Sequence, residues 1–182
     1  AAAVAARAAG FSAAAIRRGL ADFRGVPGRF EVCSREPLVL VDFAHTPDAL
    51  VRVLQAARAL VRGGGQLGCV FGCGGERDTE KRVRMGELAD DLADVVWLTS
   101  DNPRGEEPAK IAAMVRAGAH GRASWHEVPD RRAAIGAALD WARAPDVVVI
   151  AGRGAETHQQ LAYERIAFVD SDAVRDALRR VR

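Results

Sequence analysis

Thr99-Ser100-Asp101-Asn102-Pro103-Arg104 stands between an apolar run, Val95-Val96-Trp97-Leu98, and a charged segment, Gly105-Glu106-Glu107-Pro108. The run reads as a buried strand and the segment as the start of a helix. The loop between them therefore lies at the carboxyl end of a strand, where an open parallel α/β sheet keeps its ligands. It offers a carboxylate, an amide that both donates and accepts, and a guanidinium fork. Pro103 holds its own φ near about −65° and restricts Asn102 as well. Such a trio can hold a zwitterion, the oxygens taking an ammonium and the arginine a carboxylate. The plainer reading is a helix-start turn with Asp101 or Asn102 as N-cap, and on these residues alone both readings stand.

Outward from this loop the same alternation repeats. Leu38–Phe43, Leu67–Phe71, Val95–Thr99, Ser124–Val128 and Asp146–Ala151 read as strands, the longer ones continuously apolar as expected of strands covered on both faces. Between them, helices are expected from Thr46 (N-cap) and Pro47 to about Arg62, over Lys81–Leu92, Glu107–Arg116 and Asp130–Arg143. Phe30–Cys33 reads as a further strand in a hairpin with Leu38–Phe43. Residues 155–161 are expected to form a short helix, Ile166–Val169 an edge strand, and Ser171–Arg182 a terminal helix capped by Ser171. The fold class is α/β, a mostly parallel, Rossmann-like sheet with helices on both faces and right-handed crossovers.

At the amino end, Ala1–Phe23 reads as helix broken at Gly10-Phe11-Ser12, with Ser12 capping the second half. No strand precedes it, and an α/β domain that starts this way reads as the tail end of something longer. Gly25-Val26-Pro27-Gly28-Arg29 is a breaker cluster, which sets the expected boundary: residues 1–25 a helical tail, residues 26–182 the domain.

Composition excludes several classes. Of 182 residues 49% are hydrophobic, enough to bury a core, and the net charge of +2 is near neutral. Arginine supplies nearly all the positive charge and alternates with acid along helices, which argues against a nucleic-acid stripe. No apolar run approaches the ~20 residues that span a bilayer. Cys33, Cys69 and Cys73 have no framework or zinc spacing, so a reduced, cytoplasmic compartment is expected and no metal site. Cys69 reads as core; Cys73, in a Gly-rich loop, reads as open to solvent.

Four strand ends carry unusual loops: Asp42–Asp48, Gly72–Lys81, Thr99–Arg104 and Gly152–Glu156. In a parallel sheet all four fall on one edge, the default ligand crevice. Gly72-Cys73-Gly74-Gly75-Glu76-Arg77-Asp78 combines backbone freedom with a cation that could pair a substrate carboxylate, or with an ordinary surface arginine. It is neither a dinucleotide fingerprint nor a P-loop. Gly152 and Gly154 precede Glu156, which could take an ammonium or simply favour a helix start. His45, between Asp42 and Thr46, could touch a phosphate or ribose; His120, His126 and His158 read as structural or surface.

At these motifs the chain resembles the Mur ligases, most closely the MurE type, which adds meso-diaminopimelate to UDP-N-acetylmuramoyl-L-alanyl-D-glutamate. The resemblance runs from about Val26 to the C-terminus. It is carried by Val26-Pro27-Gly28-Arg29, Asp42-Phe43-Ala44-His45-Thr46-Pro47-Asp48, Phe71-Gly72-Cys73-Gly74-Gly75-Glu76-Arg77-Asp78 with Lys81-Arg82, Ser100-Asp101-Asn102-Pro103-Arg104 with Glu107-Pro108, and Ala151-Gly152-Arg153-Gly154-Ala155-Glu156. It implies the amino-acid-delivering C-terminal domain of a three-domain cytoplasmic ATP-dependent ligase of peptidoglycan synthesis, with residues 1–25 the tail of the central ATPase domain. On this implication Arg77, Asp101, Asn102, Pro103, Arg104, Gly152 and Glu156 bind meso-diaminopimelate, with Asp101 shaping the loop. Arg29, Asp42 and His45 lie near ATP. ATP and Mg²⁺ are held mostly by the domains not present here, with the UDP-sugar dipeptide, so the chain alone is expected to be inactive and carries no catalytic residue of its own. The chain departs from the family pattern at Arg153 and Ala155, where Gly-Lys-Gly-His-Glu is usual, at Thr157 and His158, at Asp170-Ser171-Asp172 where Asp-Asp-Arg is usual, and at Phe43 where tyrosine is common. A stand-alone amino-acid-binding module is the alternative; a nucleotide-binding enzyme of another class is the third reading, against which the missing P-loop counts.

Overall fold

A computed structural model describes residues 1–180. In chain order the elements are α1 Ala2–Ala8, α2 Ala13–Asp22, β1 Glu31–Arg35, β2 Leu38–Asp42, α3 Pro47–Arg58, β3 Leu67–Phe71, α4 Glu80–Leu92, β4 Val95–Leu98, α5 Pro108–Arg116, β5 Ser124–Glu127, α6 Arg131–Trp141, β6 Val147–Ala151, β7 His158–Gln160, β8 Arg165–Ala167 and α7 Asp170–Arg180. Six strands form one sheet in the order β1-β2-β6-β3-β4-β5. Every pairing but the β1–β2 hairpin is parallel.

The alternation of a strand's two faces divides the core in two. Leu40, Cys69, Phe71, Val96, Leu98, Val147 and Val149 point to one side, where Leu50, Leu54, Met85, Ala89, Ile111 and Val115 of α3, α4 and α5 cover them. Val39, Val41, Val70, Trp97, Val148 and Ile150 point to the other, under Ala134, Ile135, Ala138, Ala173 and Val174 of α6 and α7. The continuously apolar strands are thus buried on both faces, as their composition predicts: β3 and β6 are buried at every position.

Local signals act where expected. Ser12 accepts from the Ala15 N–H, and Thr46 from the Ala49 N–H with Pro47 in the first turn. Other expectations need correction. α3 ends at Arg58 rather than Arg62. Asp101 and Asn102 cap nothing, since α5 starts at Pro108 after Glu107. α7 begins at Asp170, which puts Ser171 inside its first turn; residues 181 and 182 of that expected helix lie outside the described residues.

The largest correction lies at 155–161. In place of a short helix the chain forms β7, paired antiparallel with β8 in a separate two-stranded sheet, so the expected edge strand at 166–169 is not part of the main sheet. The cause is non-local. The backbone of Gln160 donates to Asn102 Oδ1 (2.8 Å) and accepts from the Arg104 N–H (3.2 Å), and Gln159 Nε2 donates to the Asp101 carbonyl (2.6 Å). These bonds require an extended strand alongside residues 101–104, and a helix could not supply them.

Candidate functional site

The four loops do meet at the carboxyl edge of the sheet. Their backbones are knitted together: Gly152 N–H donates to Asp42 O (3.1 Å), Thr99 N–H to Phe71 O (2.9 Å), and Gly75 N–H to Asn102 O (2.9 Å). They enclose a cleft of about 390 Å³. Of the residues expected there, Arg77, Asp101, Asn102, Arg104, Gly152, Glu156 and His45 line it. Pro103 is buried and does not; its carbonyl closes the loop by accepting from the Glu106 N–H (3.1 Å).

Two glycines mark the two ends of the cleft. A Cβ on Gly74 would lie 3.1 Å from Arg104 Nη1 and 3.8 Å from Arg77 Cγ, so Gly74 sits in the gap between the two cations. A Cβ on Gly152 would lie 2.8 Å from Asp101 Oδ2, and Gly152 also has φ +116°, which disfavours any side chain. One end is therefore cationic and the other anionic.

At the anionic end Asn102 is the hub. Its Nδ2 donates to Glu156 Oε2 (2.9 Å), and its Oδ1 accepts from Arg153 Nη1 (2.9 Å) and the Gln160 N–H. Asp101 is only 8% exposed. Burial pushes its carboxyl pKa up, against the pull of the Arg131 and Arg153 guanidinium groups; Glu156 and Asp170 push it further up. An ammonium placed here would give Asp101 a counter-charge and oppose that rise.

At the cationic end Arg104 adopts φ +52°, rare for a side chain of its size. Its Nη1 donates to Gly75 O (2.7 Å) and Asn102 O (3.3 Å), which fixes the guanidinium plane. Arg77 is exposed, with one contact to its neighbour's carbonyl, Glu76 O (3.4 Å), rather than to the carboxylates of Glu76 or Asp78.

The residues expected near a nucleotide are less united. Asp42 is occupied by its own surroundings, accepting from the N–H groups of Phe30 (2.7 Å) and Ala44 (2.9 Å). Arg29 lies over the Phe43 ring, 4.2 Å from its centre, and Phe43 meets His45 edge-on at 4.6 Å. Arg29, Phe43 and His45 thus form a cation–aromatic ledge beside the cleft. Gly28 holds it there: its φ is +66°, and a Cβ would strike Ala155 N at 2.0 Å.

Sequence reasoning missed three fully buried arginines. Arg131 pairs Asp170 through Nε and Nη2 (both 2.8 Å) and donates to Ala151 O (3.0 Å). Arg153 bonds Asn102, Glu156 and His158 O under the anionic end. Arg82 pairs Glu106 beneath the cationic end. Lys81, also not foreseen as a site residue, lines the cleft and donates to His45 O (2.8 Å). An arginine next to helical acids looks like a solvated surface residue, and only the partners' placement makes it buried. Cys73 is corrected too. It is buried against Met85 Sδ (3.7 Å), and burial pushes its thiol pKa up to about 12. Among the described residues no cluster of three His, Cys, Asp or Glu could hold a metal ion.

An open parallel sheet whose carboxyl edge holds a two-ended ionic cleft defines an α/β domain built to position a charged small molecule. The chain belongs to the Mur ligase family: its glutamate ligase domain matches residues 28–154. The UDP-N-acetylmuramoyl-L-alanyl-D-glutamate–2,6-diaminopimelate ligase of Synechococcus sp. (strain WH7803) is 48% identical over 88% of this chain and 33% of its own length. That of Acidovorax sp. (strain JS42) is 48% identical over 96% of this chain and 35% of its own. A solved structure of a ligase of this name superposes with a TM-score of 0.81 at 44% identity, over 100% of this chain and 37% of that one. A bifunctional folylpolyglutamate synthase/dihydrofolate synthase from Yersinia pestis CO92 superposes at 0.60, with 27% identity over 78% of this chain. The chain thus spans about a third of the length of these relatives.

Proposed function

We propose that this chain delivers the incoming amino acid in an ATP-dependent peptide-bond-forming ligase of cell-wall precursor synthesis, and that the amino acid is meso-diaminopimelate. The observation that carries the reading is the two-ended cleft. Arg77 and Arg104 would take the distal carboxylate, and Asp101 with Glu156, which Asn102 holds in place, would take the ammonium beside it. The resemblance to the Mur ligases implies the reaction. ATP phosphorylates the D-glutamate carboxylate of the UDP-sugar dipeptide and leaves as ADP. The free amine of diaminopimelate attacks the acyl phosphate, the C–N bond forms, and phosphate leaves with the C–O bond while the amine loses a proton. Held by its far end, the amino acid would present the other amine in attack geometry, an effect worth ~7–11 kcal/mol of a barrier in favourable cases.

On this reading the ledge of Arg29, Phe43 and His45 fits ATP by stacking and charge, with Asp42 fixing the ledge rather than touching the nucleotide. Mg²⁺, the UDP-sugar dipeptide and the remainder of the ATP site would belong to segments outside this chain, and the enzyme would work in the cytoplasm. Helices α1 and α2 would end the preceding domain: they bury no residue, and Phe11 and Phe23 stand 58% and 63% exposed beside an apolar groove.

The test is ligation by the full-length protein with meso-diaminopimelate or L-lysine as acceptor. Diaminopimelate should be used and lysine refused, because lysine leaves the two arginines without their carboxylate. Arg104→Ala should raise the KM for diaminopimelate about 100-fold, as when one partner of a desolvated charge pair is removed. An unchanged KM removes Arg104 from the site, and equal use of lysine overturns the choice of amino acid.

A further inference from the structure

Beneath the cationic end runs a closed ring of contacts. Arg82, on α4, is fully buried. Its Nη1 and Nη2 reach Glu106 Oε2 (2.8 Å) and Oε1 (2.9 Å), a fork-to-fork pair, and Nη2 also donates to Gly74 O (3.1 Å). Glu106 in turn accepts from the Glu76 N–H. The ring therefore runs from Gly74 through Arg82 and Glu106 back to Glu76. It brackets Gly75, whose N–H and carbonyl bond Asn102 O and Arg104 Nη1. Both loops carry a residue in the left-handed region at the junction, Glu76 (φ +53°) and Arg104 (φ +52°). Conformations of this kind persist only where the surroundings over-determine them. The ring is that surrounding. Arg77 follows Glu76 directly and Arg104 precedes Glu106 by two residues, so the ring joins the two cations at the end of the cleft.

We propose that the Arg82–Glu106 pair is a positioning brace that sets the separation of Arg77 and Arg104, and thereby the preference for an amino acid carrying a second carboxylate. Neither residue of the pair lines the cleft. This role rests on the function proposed above in one respect, that Arg77 and Arg104 bind the distal carboxylate. A bidentate fork demands fixed geometry, and two forks closing on one carboxylate demand that their loops keep a fixed spacing. An amino acid without that carboxylate makes no use of the spacing.

The experiment compares wild type with Glu106→Gln, Glu106→Asp and Glu107→Gln in the full-length protein. Glu107 is the control, an exposed neighbour that pairs with Lys110. Glu106→Gln should raise the KM for meso-diaminopimelate about tenfold, with kcat and the KM for ATP changed less than about threefold, the pattern of lost binding rather than lost chemistry. Selection against L-lysine should fall by the same factor. Glu106→Asp should recover part of it, and Glu107→Gln should match wild type. Hydrogen exchange at the amides of Gly75 and Glu76 gives an independent reading: it should speed up at least about tenfold in Glu106→Gln, while β3 and β6 stay protected. Unchanged exchange overturns the brace. Faster exchange with unchanged KM and selectivity keeps the loops joined but overturns the specificity role, as does an equal fall in kcat for both amino acids. If wild type itself does not select diaminopimelate, the function proposed above falls and takes the specificity role with it, while the exchange result still decides the brace. If Glu106→Gln does not fold, Glu106→Asp carries both readouts.

Discussion

Two buried arginines, each paired with a carboxylate, lie under the same cleft, and they differ in what surrounds them. Arg131 and Asp170 are both fully buried, and they join the start of α6, the start of α7 and the end of β6. Arg82 is equally buried, but the side chain of Glu106 is 31% exposed, and the pair ties α4 to the loop that precedes α5. A pair taken wholly out of water gains little from its own attraction, yet losing one member strands a charge in the interior. A pair at the rim keeps water as a substitute partner. The first belongs to the stability of the fold and the second to the geometry of the site. The same chemistry at two depths divides the labour.

Breaking the deep pair should have the largest effect on stability. Asp170→Asn leaves Arg131 uncompensated and should cost about 3–5 kcal/mol in a denaturant titration. A loss under about 1 kcal/mol would mean that the pair is relaxed or hydrated, and the contrast with Arg82–Glu106 would disappear. Glu106→Gln should cost clearly less than Asp170→Asn on the same measurement.

Acid sharpens the comparison. The Arg82 guanidinium, then the Glu76 N–H, hold the Glu106 carboxyl pKa down to about 2. Asp90 is held at about 2 as well: burial alone would raise it, but Trp125 Nε1 and the N–H groups of Arg122, Ala123 and His120 all donate to it. Both groups are more acidic folded than unfolded. Their stabilisation is therefore complete above the ordinary carboxylate range near pH 4–4.5 and is lost as pH falls through about 2. Unfolding followed against pH should show a decline from about pH 4.5 to 2 that is shallower in Glu106→Gln. An identical decline in that variant would show that the rim pair contributes nothing to folding.

The smallest effect should come from the amino end. Phe23→Ser in this chain should change stability by no more than about 0.5 kcal/mol, since the ring is exposed. In the full-length protein it should cost more, if α1 and α2 close the preceding domain. Equal effects in the two contexts would leave those helices without a partner.

Much of the fold was legible in the chain. Leu67–Phe71 and Val147–Ala151 read as strands covered on both faces, Thr46 with Pro47 and Ser12 read as helix starts, and the unusual polar residues all followed strands. That placed Arg77, Asn102, Arg104, Gly152 and Glu156 on one edge of the sheet. The misreadings share a cause. The helix expected at 155–161 is a strand because Asn102, Arg104 and Gln160 exchange bonds more than fifty residues apart. Cys73 is buried because Met85 lies over it. Arg153 reads as a loop cation, yet it supports Asn102 and Glu156 from below.

The sequence by itself determined the class of fold, the sites of the loops and the kinds of charge they carry, because apolar periodicity, caps and turn residues act within a few positions of one another. Only the tertiary structure decided the insertion of β6 between β2 and β3, the two ends of the cleft, and the depth at which Arg82, Arg131 and Arg153 lie. Each of those depends on a partner far along the chain, and the cost of burying a charge is settled by what meets it there.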